Sequence, residues 1–261
     1  YGRLSRLSPL SNANVCIMKI SIVMTYFDRI KQLKNSLYSI SLSKYDDFNV
    51  IIIDDVSPEE INIDSYNFEI QIYRLKYKIS TNPGPVYNLG FQKAIESGAE
   101  IIIIQNAECY HIGDIVSHAA SINEGRYYSY HCYSLSKGQK IGAETKDILP
   151  FNSGDEGWYN HETIRPVMFH FCSAIRVTDL KKLNGFDERF YDGICYEDDY
   201  FVHQIKNLNL DVKFISDPFV YHQWHSIGVR YDQLVIKNSE LWDSLKNNKD
   251  YRAKHLITDD L

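Results

Sequence analysis

The chain has 261 residues, 44% apolar and 24% charged, with 34 acidic against 28 basic side chains and a formal net charge of -6. This composition excludes a disordered or fibrous chain, and the lack of a basic surplus argues against a nucleic-acid polymer as partner, because a phosphate backbone is held by clustered lysine and arginine. The cysteines Cys16, Cys109, Cys132, Cys172 and Cys195 form no Cys-x-x-Cys pair, which points away from a disulfide framework or thiolate zinc site and toward a reducing, cytoplasmic setting.

Residues Tyr1 to Ile17 are rich in Ser and Asn, have no periodicity, and read as a tail ahead of Met18. Residues 18–261 then read as a single domain. An apolar run (Ile20, Ile22, Val23, Met24), a helical spacing (Ile30, Leu33, Leu37, Ile40) and a second run (Val50 to Ile53) predict strand, helix, strand. Alternation over Glu69 to Leu75 predicts a third strand, Pro85 to Ser97 a helix that starts at proline and stops before Gly98, and Ile101 to Ile104 a fourth strand. Strands apolar on both faces need helices on both sides, so the first half predicts an α/β unit with a largely parallel sheet.

Leu135 to Thr163 is punctuated by Gly138, Gly142, Pro150, Gly154 and Gly157 and reads as a long loop region. Regularity returns over Phe169 to Val177, a short helix at Asp179 to Leu183, a helix opening at Glu197, strands at Val212 to Ile215 and Phe219 to Tyr221, and a last helix from Gln233 to Leu245. No apolar run approaches the roughly 20 residues that cross a bilayer, so no transmembrane segment is expected.

Parallel sheets bind ligands at the carboxyl ends of their strands. The residues there are Thr25-Tyr26-Phe27-Asp28-Arg29, Asp54-Asp55-Val56-Ser57 and Gln105-Asn106-Ala107-Glu108. One Asp of a pair such as Asp54-Asp55 would ordinarily cap the turn through Ser57; two together exceed that need. Glu197-Asp198-Asp199 open a helix, where acids also complement the helix dipole. Around Gly157-Trp158-Tyr159-Asn160-His161, with Arg165 and His170 downstream, aromatic faces and hydrogen-bond donors are mixed in the manner of a sugar pocket.

In order and spacing, the first strand with Thr25, Asp54-Asp55, Asn82-Pro83-Gly84 with Asn88-Leu89-Gly90, the acidic motif after Ile104, Gly185-Phe186-Asp187-Glu188 and Glu197-Asp198-Asp199 resemble glycosyltransferases of family 2. The resemblance covers roughly Lys19 to Gln223, and Phe186 to Asp199 is also similar to galactosyltransferases and chondroitin-type polymerases. It implies the GT-A fold, α/β with a mostly parallel central sheet flanked by helices, divided into a nucleotide-sugar-binding half (18–112), an acceptor and catalytic half (113–230) and a C-terminal helix (231–261). The implied activity is inverting transfer of a hexose from a UDP-sugar to a saccharide or glycan acceptor.

By the same resemblance Asp55 accepts a hydrogen bond from uracil, Thr25 and an adjacent aromatic, Tyr26 or Phe27, line that pocket, and Arg29, Asn82, Asn88 and Asn106 belong to the donor site. Asn106-Ala107-Glu108 takes the place of the family's Asp-x-Asp, so one charged ligand is an amide. Glu108 and His222 are the implied ligands of Mn²⁺ (or Mg²⁺), with His225 the lesser candidate. Asp198 is the implied base and Glu197 its support, while Asp199 caps the helix. Trp158, Tyr159, His161, Arg165 and His170 form the acceptor group. The rival readings are a nucleotidyltransferase, which would normally carry a Gly- and Lys/Arg-rich phosphate loop after its first strand, and a non-catalytic sugar-binding module of the same fold.

Overall fold

The computed structural model describes residues 18–143, 145, 156–226 and 231–255; the expected tail, and Pro150 and Gly154 of the expected loop, lie outside the described residues. The alternating apolar strands sort their side chains to two faces. In β1 (Ile20–Tyr26), β2 (Phe48–Asp54) and β4 (Ile101–Asn106), the set Ile20, Ile22, Met24, Val50, Ile52, Ile101 and Ile103 packs on one side, and Val23, Ile51, Ile53, Ile102 and Ile104 on the other. Helix α1 (Ile30–Ile40) covers the first face through Leu33, Leu37 and Ile40. Helix α2 (Gly84–Glu96) covers the second through Val86, Tyr87, Phe91 and Ala94. A proline in its first turn is pre-set for helical φ.

With β3 (Glu69–Arg74), the parallel order β3-β2-β1-β4 is the expected first half. The sheet continues through β8 (Cys172–Arg176), β6 (Arg126–Ser134), β9 (Asp211–His222) and β5 (Cys109–Ile112), and β7 (Gly157–Asn160) pairs with β6. Here β4-β8, β8-β6, β5-β9 and β6-β7 are antiparallel, while β6-β9 is parallel. The short α3 (Ile115–Ala119) lies on the α1 side, and α4 (Val177–Leu183) and α5 (Glu197–Asn207) on the α2 side; α6 (Asp232–Leu245) is the last described helix.

Two expectations are corrected. The loop region starts at Leu135 as expected, directly after β6 ends at Ser134, but it is interrupted by β7 at Gly157–Asn160. The two short strands after α5 are one, β9, whose pairing with β6 shifts register between Tyr130 and Cys132. Strand β6 escaped notice because its sequence, Arg-Tyr-Tyr-Ser-Tyr-His-Cys-Tyr-Ser, shows no apolar alternation, although nearly all of it is buried. Its polar tips are partnered from other elements: Tyr130 meets His118 Nδ1 at 3.1 Å and Ser129 accepts from Asn160 at 2.9 Å.

Helix α2 approaches the sheet through Gly90, where a Cβ would stand 2.3 Å from Val23 Cγ1 and 3.3 Å from Ile53 Cγ1. Valine is stiff at χ1 and cannot swing clear. Gly90→Ala is therefore expected to cost ~1–3 kcal/mol of unfolding free energy through overpacking, despite alanine's better helix propensity. Urea denaturation checks this; a gain in stability would show that the helix can lift without cost.

Candidate functional site

Parallel register places Tyr26 opposite Asp54 and Thr25 opposite Asn106, so β1, β2 and β4 end at one edge. A cavity of about 240 Å³ opens there, lined among others by Thr25, Phe27, Arg29, Asp55, Asn82, Tyr87, Asn106 and Glu108. The two aspartates divide their duties. Asp54 Oδ1 accepts from the Ser57 N–H at 2.9 Å and caps the turn, whereas Asp55 faces the cavity. Burial pushes the Asp55 carboxyl up, opposed by Lys78, whose Nζ lies 3.0 Å from Oδ2. Oδ1 is buried without a hydrogen-bond partner among the described residues. Of the two candidate aromatics, Tyr26 is packed in the core and Phe27 is 45% exposed, with the Lys78 ammonium 4.5 Å from its ring centroid.

Asn106 Oδ1 accepts from the Tyr87 hydroxyl at 3.0 Å. Glu108 is buried in the turn between β4 and β5, and three groups converge on its Oε1: Arg29 Nη1 at 2.7 Å, His222 Nε2 at 3.3 Å and His225 Nε2 at 3.3 Å. Burial alone would raise this carboxyl, yet the imidazoles and then the guanidinium hold it well below the usual carboxylate range. Antiparallel pairing of Cys109 with His222 brings β9 back to this point. Gln223 fixes the connection by donating its backbone N–H and side-chain Nε2 to the Glu108 carbonyl at 3.1 and 2.9 Å. One ligand atom from each of Glu108, His222 and His225 lies within 4.8 Å of the others. A carboxylate with two imidazoles, gathered in a buried pocket, fits a divalent transition-metal ion.

The acids occupy a second cavity, about 260 Å³, which shares Thr81, Asn82 and Pro83 with the first. They are delivered by an unusual backbone: Cys195 and Tyr196, just before α5, both take left-handed conformations, φ 65° and 68°. Such conformations cost roughly 1–3 kcal/mol each in non-glycine residues and gather at functional sites. Asn238 of α6 supports the turn by donating to the carbonyls of Phe190 (3.1 Å) and Cys195 (2.9 Å). Asn82 joins the two cavities: its Oδ1 accepts from the Gly84 N–H at 2.8 Å and its Nδ2 donates to Glu197 Oε2 at 3.1 Å. Burial first, and the adjacent Asp198 charge next, push Glu197 up to about 8; the same two causes raise Asp199. His170 is buried with Nδ1 against Asp198 Oδ1, its ring edge-on to Tyr87 and Phe186.

Several expected site residues lie elsewhere. Asn88 is committed to the fold: Nδ2 donates to the Phe186 carbonyl (2.9 Å) and Glu188 Oε1 (2.8 Å), and Oδ1 accepts from the Phe186 N–H (2.8 Å). It therefore lines neither of the two cavities. The acceptor group is split by the two-residue period of β7. Tyr159 stacks on Phe171 at 4.8 Å and meets His222 edge-on. Trp158 points the other way, into a cluster with Tyr133, Leu135 and Tyr221, and His161 packs on Trp158 and His131. Arg165 lines the second cavity with Phe169 and Phe171, its guanidinium donating to the Tyr159 carbonyl.

Sequence reasoning missed Lys78 and Tyr87. Tyr87 was within reach, because it stands three residues before Gly90 and so shares the face that touches the sheet. Lys78 sits in the connection after β3, where no periodicity marks it.

No family model matches the chain. A chain from Rickettsia bellii (strain RML369-C), described as an uncharacterized glycosyltransferase, is 26% identical over 175 residues, which are 66% of this chain and 24% of that relative. This chain thus spans about a quarter of the curated relative it matches. TarS of S. aureus, solved with UDP, superposes with a TM-score of 0.57 at 16% identity, covering 79% of this chain and 61% of that one. The mannosyltransferase PcManGT of Pyrobaculum calidifontis, solved with GDP-Man and Mn²⁺, gives 0.53 at 11% identity, covering 89% and 66%. The fold is GT-A. The first cavity opens where this GT-A sheet ends its parallel strands, and no helix among the described residues is long and apolar enough to cross a membrane.

Glu197 supplies a pH test. Its carboxyl is displaced from an ordinary 4.5 to about 8, so between those values the native state holds a proton the unfolded chain has released, and stability falls as pH rises through that window. Glu197→Gln has no such proton to lose. Its stability relative to the wild type should improve progressively from pH 5 to pH 8 in urea melts, and parallel pH slopes for the two proteins would contradict the displaced carboxyl.

Proposed function

We propose that the chain is an inverting glycosyltransferase that moves a hexose from a UDP-sugar to a saccharide acceptor. The observation that carries this reading is the wall shared by two cavities: one ends at Asp55 and the Glu108 cluster, the other at Glu197, Asp198 and Asp199, and Asn82 belongs to both. A donor in the first cavity and an acceptor in the second would meet at that wall. UDP in the TarS structure supports the choice of nucleotide.

In this reading the uracil lies against Phe27 and its imide N–H donates to the unpartnered Asp55 Oδ1. The diphosphate extends toward Arg29. Glu108, His222 and His225 would hold the divalent ion, Mn²⁺ in preference to Mg²⁺ because two of the three donors are nitrogen; when bound, such an ion neutralises charge on the departing diphosphate. Asp198 takes the proton of the acceptor hydroxyl as that oxygen attacks the anomeric carbon from the face opposite UDP, which inverts the centre. Glu197, bonded by Asn82 and protonated near neutral pH, leaves proton acceptance to its neighbour. Tyr159, Arg165 and the phenylalanines beside them offer the acceptor a mixed apolar and polar surface, and the buried free thiols Cys109, Cys132 and Cys172 suit a reducing, cytoplasmic compartment.

Asp55→Ala is expected to weaken UDP binding by roughly 1.5–3 kcal/mol, the value of a hydrogen bond to a charged group. Calorimetry with UDP reads it directly, and an unchanged affinity in the folded variant removes Asp55 from the donor site.

Asp198→Asn should hold UDP-sugar affinity while single-turnover transfer slows by about 10²–10⁴, the usual contribution of a positioned base. Asp199→Asn should change transfer little. Activity retained by Asp198→Asn but lost in Asp199→Asn would move the base by one residue, and release of pyrophosphate from a nucleoside triphosphate would instead identify a nucleotidyltransferase.

A further inference from the structure

A third cavity, about 520 Å³, opens between the start of α1 and the turn after β6, with Gln223 and Trp224 in its lining. Its volume falls within the ~300–1,000 Å³ usual for small-ligand sites. In a chain with 34 acids and 28 bases, no carboxylate among the described residues lines it, Glu156 standing behind Gln139 as its acceptor at 2.6 Å, while Lys31 and Lys140 both do. Neither lysine has an ion-pair partner among the described residues. The amides of Gln32, Asn35 and Gln139 share the lining, and Trp224 adds an indole that is 38% exposed. A third ammonium, that of Lys137, lies 5.3 Å from the centroid of the Trp224 ring.

Each of these groups has a natural counterpart in one kind of ligand. An indole face packs on the C–H face of a sugar ring, amides match hydroxyl rims as both donors and acceptors, and unpaired ammonium groups call for an anion. The site is built into the molecule rather than laid on it: the Trp224 carbonyl accepts from Gln32 Nε2 at 2.9 Å, and Asn35 Nδ2 donates at 2.7 Å to Gln223, the residue that grips the Glu108 carbonyl.

We propose that this cavity is a saccharide subsite for an acidic glycan chain, separate from the donor and acceptor cavities. Carboxylate-bearing and phosphate-bearing sugars share the chemistry that the lysines and the indole require, and the test separates them. The subsite stands independently of the transferase reading, since it needs neither Asp55 nor Asp198.

The experiment is calorimetric titration of the whole chain with a galacturonate trimer, a maltotriose phosphorylated on its 6-hydroxyls and neutral maltotriose, with UDP titrated in parallel. The expected result is at least tenfold tighter binding of one acidic oligomer than of maltotriose, with affinity falling as salt is raised. The better acidic probe identifies the anion. Lys31→Ala/Lys140→Ala, whose side chains are exposed and whose removal leaves the core intact, should weaken that oligomer at least tenfold without altering UDP affinity; Trp224→Ala should weaken the acidic and neutral probes alike. Equal affinity for maltotriose and the acidic probes overturns the acidic assignment. Absence of binding by all three, or acidic binding indifferent to the lysine double substitution, overturns the subsite.

Discussion

Three strands that run side by side in the same direction must all release their chains at the same edge of a sheet, and everything chemical in this molecule follows from that constraint. The pairing of Thr25 with Asn106 and of Tyr26 with Asp54 fixes the edge to within one residue. Because side chains alternate along each strand, a slip of one position would turn Thr25 and Asn106 to the opposite faces of the sheet and move the buried isoleucines with them. The apolar alternation that builds the two cores therefore also aims the site. The antiparallel return of β9 against β5 adds the one contribution the parallel strands cannot make, His222 and His225, which arrive from more than a hundred residues away in sequence.

Buried carboxylates in the site are treated in opposite ways, and the difference lies in their neighbours. Glu108, Asp55 and Glu197 all lose water on folding, which favours the protonated form. Around Glu108 an arginine and two imidazoles reverse the outcome and hold a permanent negative charge. Glu197 has an amide for a partner and Asp198 for a neighbour, so desolvation wins and the proton stays. Asp55 lies between, with a single lysine opposing its burial. One cavity thus ends at a group held anionic and its neighbour at a group held neutral, with Asn82 between them.

Much of this was legible in the chain. The apolar runs gave β1, β2 and β4, and their ends gave Thr25, Asp55 and Glu108, because strand period and ligand edge are linked by geometry. What stayed hidden was of three kinds. Strand β6 carries its burial on tyrosines, serines and a histidine, whose polar tips are satisfied only by partners from distant elements, so no local pattern announces it. Asn88 and Trp158 have the chemistry of binding residues but are directed into the fold, one by bonds to Phe186 and Glu188 and the other by the alternation of β7. Lys78 is placed by a loop, where position in sequence says nothing of position in space. Asp54 and Asp55 combine both lessons, since one caps the turn and the adjacent one faces the cavity.

The left-handed turn at Cys195 and Tyr196 ties the acids to α6, a helix that itself lines neither the donor-side nor the acid-side cavity. Gly193 allows Asn238 to approach, because a Cβ there would lie 2.1 Å from Asn238 Oδ1, and Asn238 in turn donates to the Cys195 carbonyl. Gly193 cannot gain a side chain while Asn238 stands against it, and Asn238 cannot be replaced without a new donor for the Cys195 carbonyl. Comparison among relatives would therefore find a side chain at position 193 only where position 238 is smaller than Asn, wherever the conformation preceding the acids is retained.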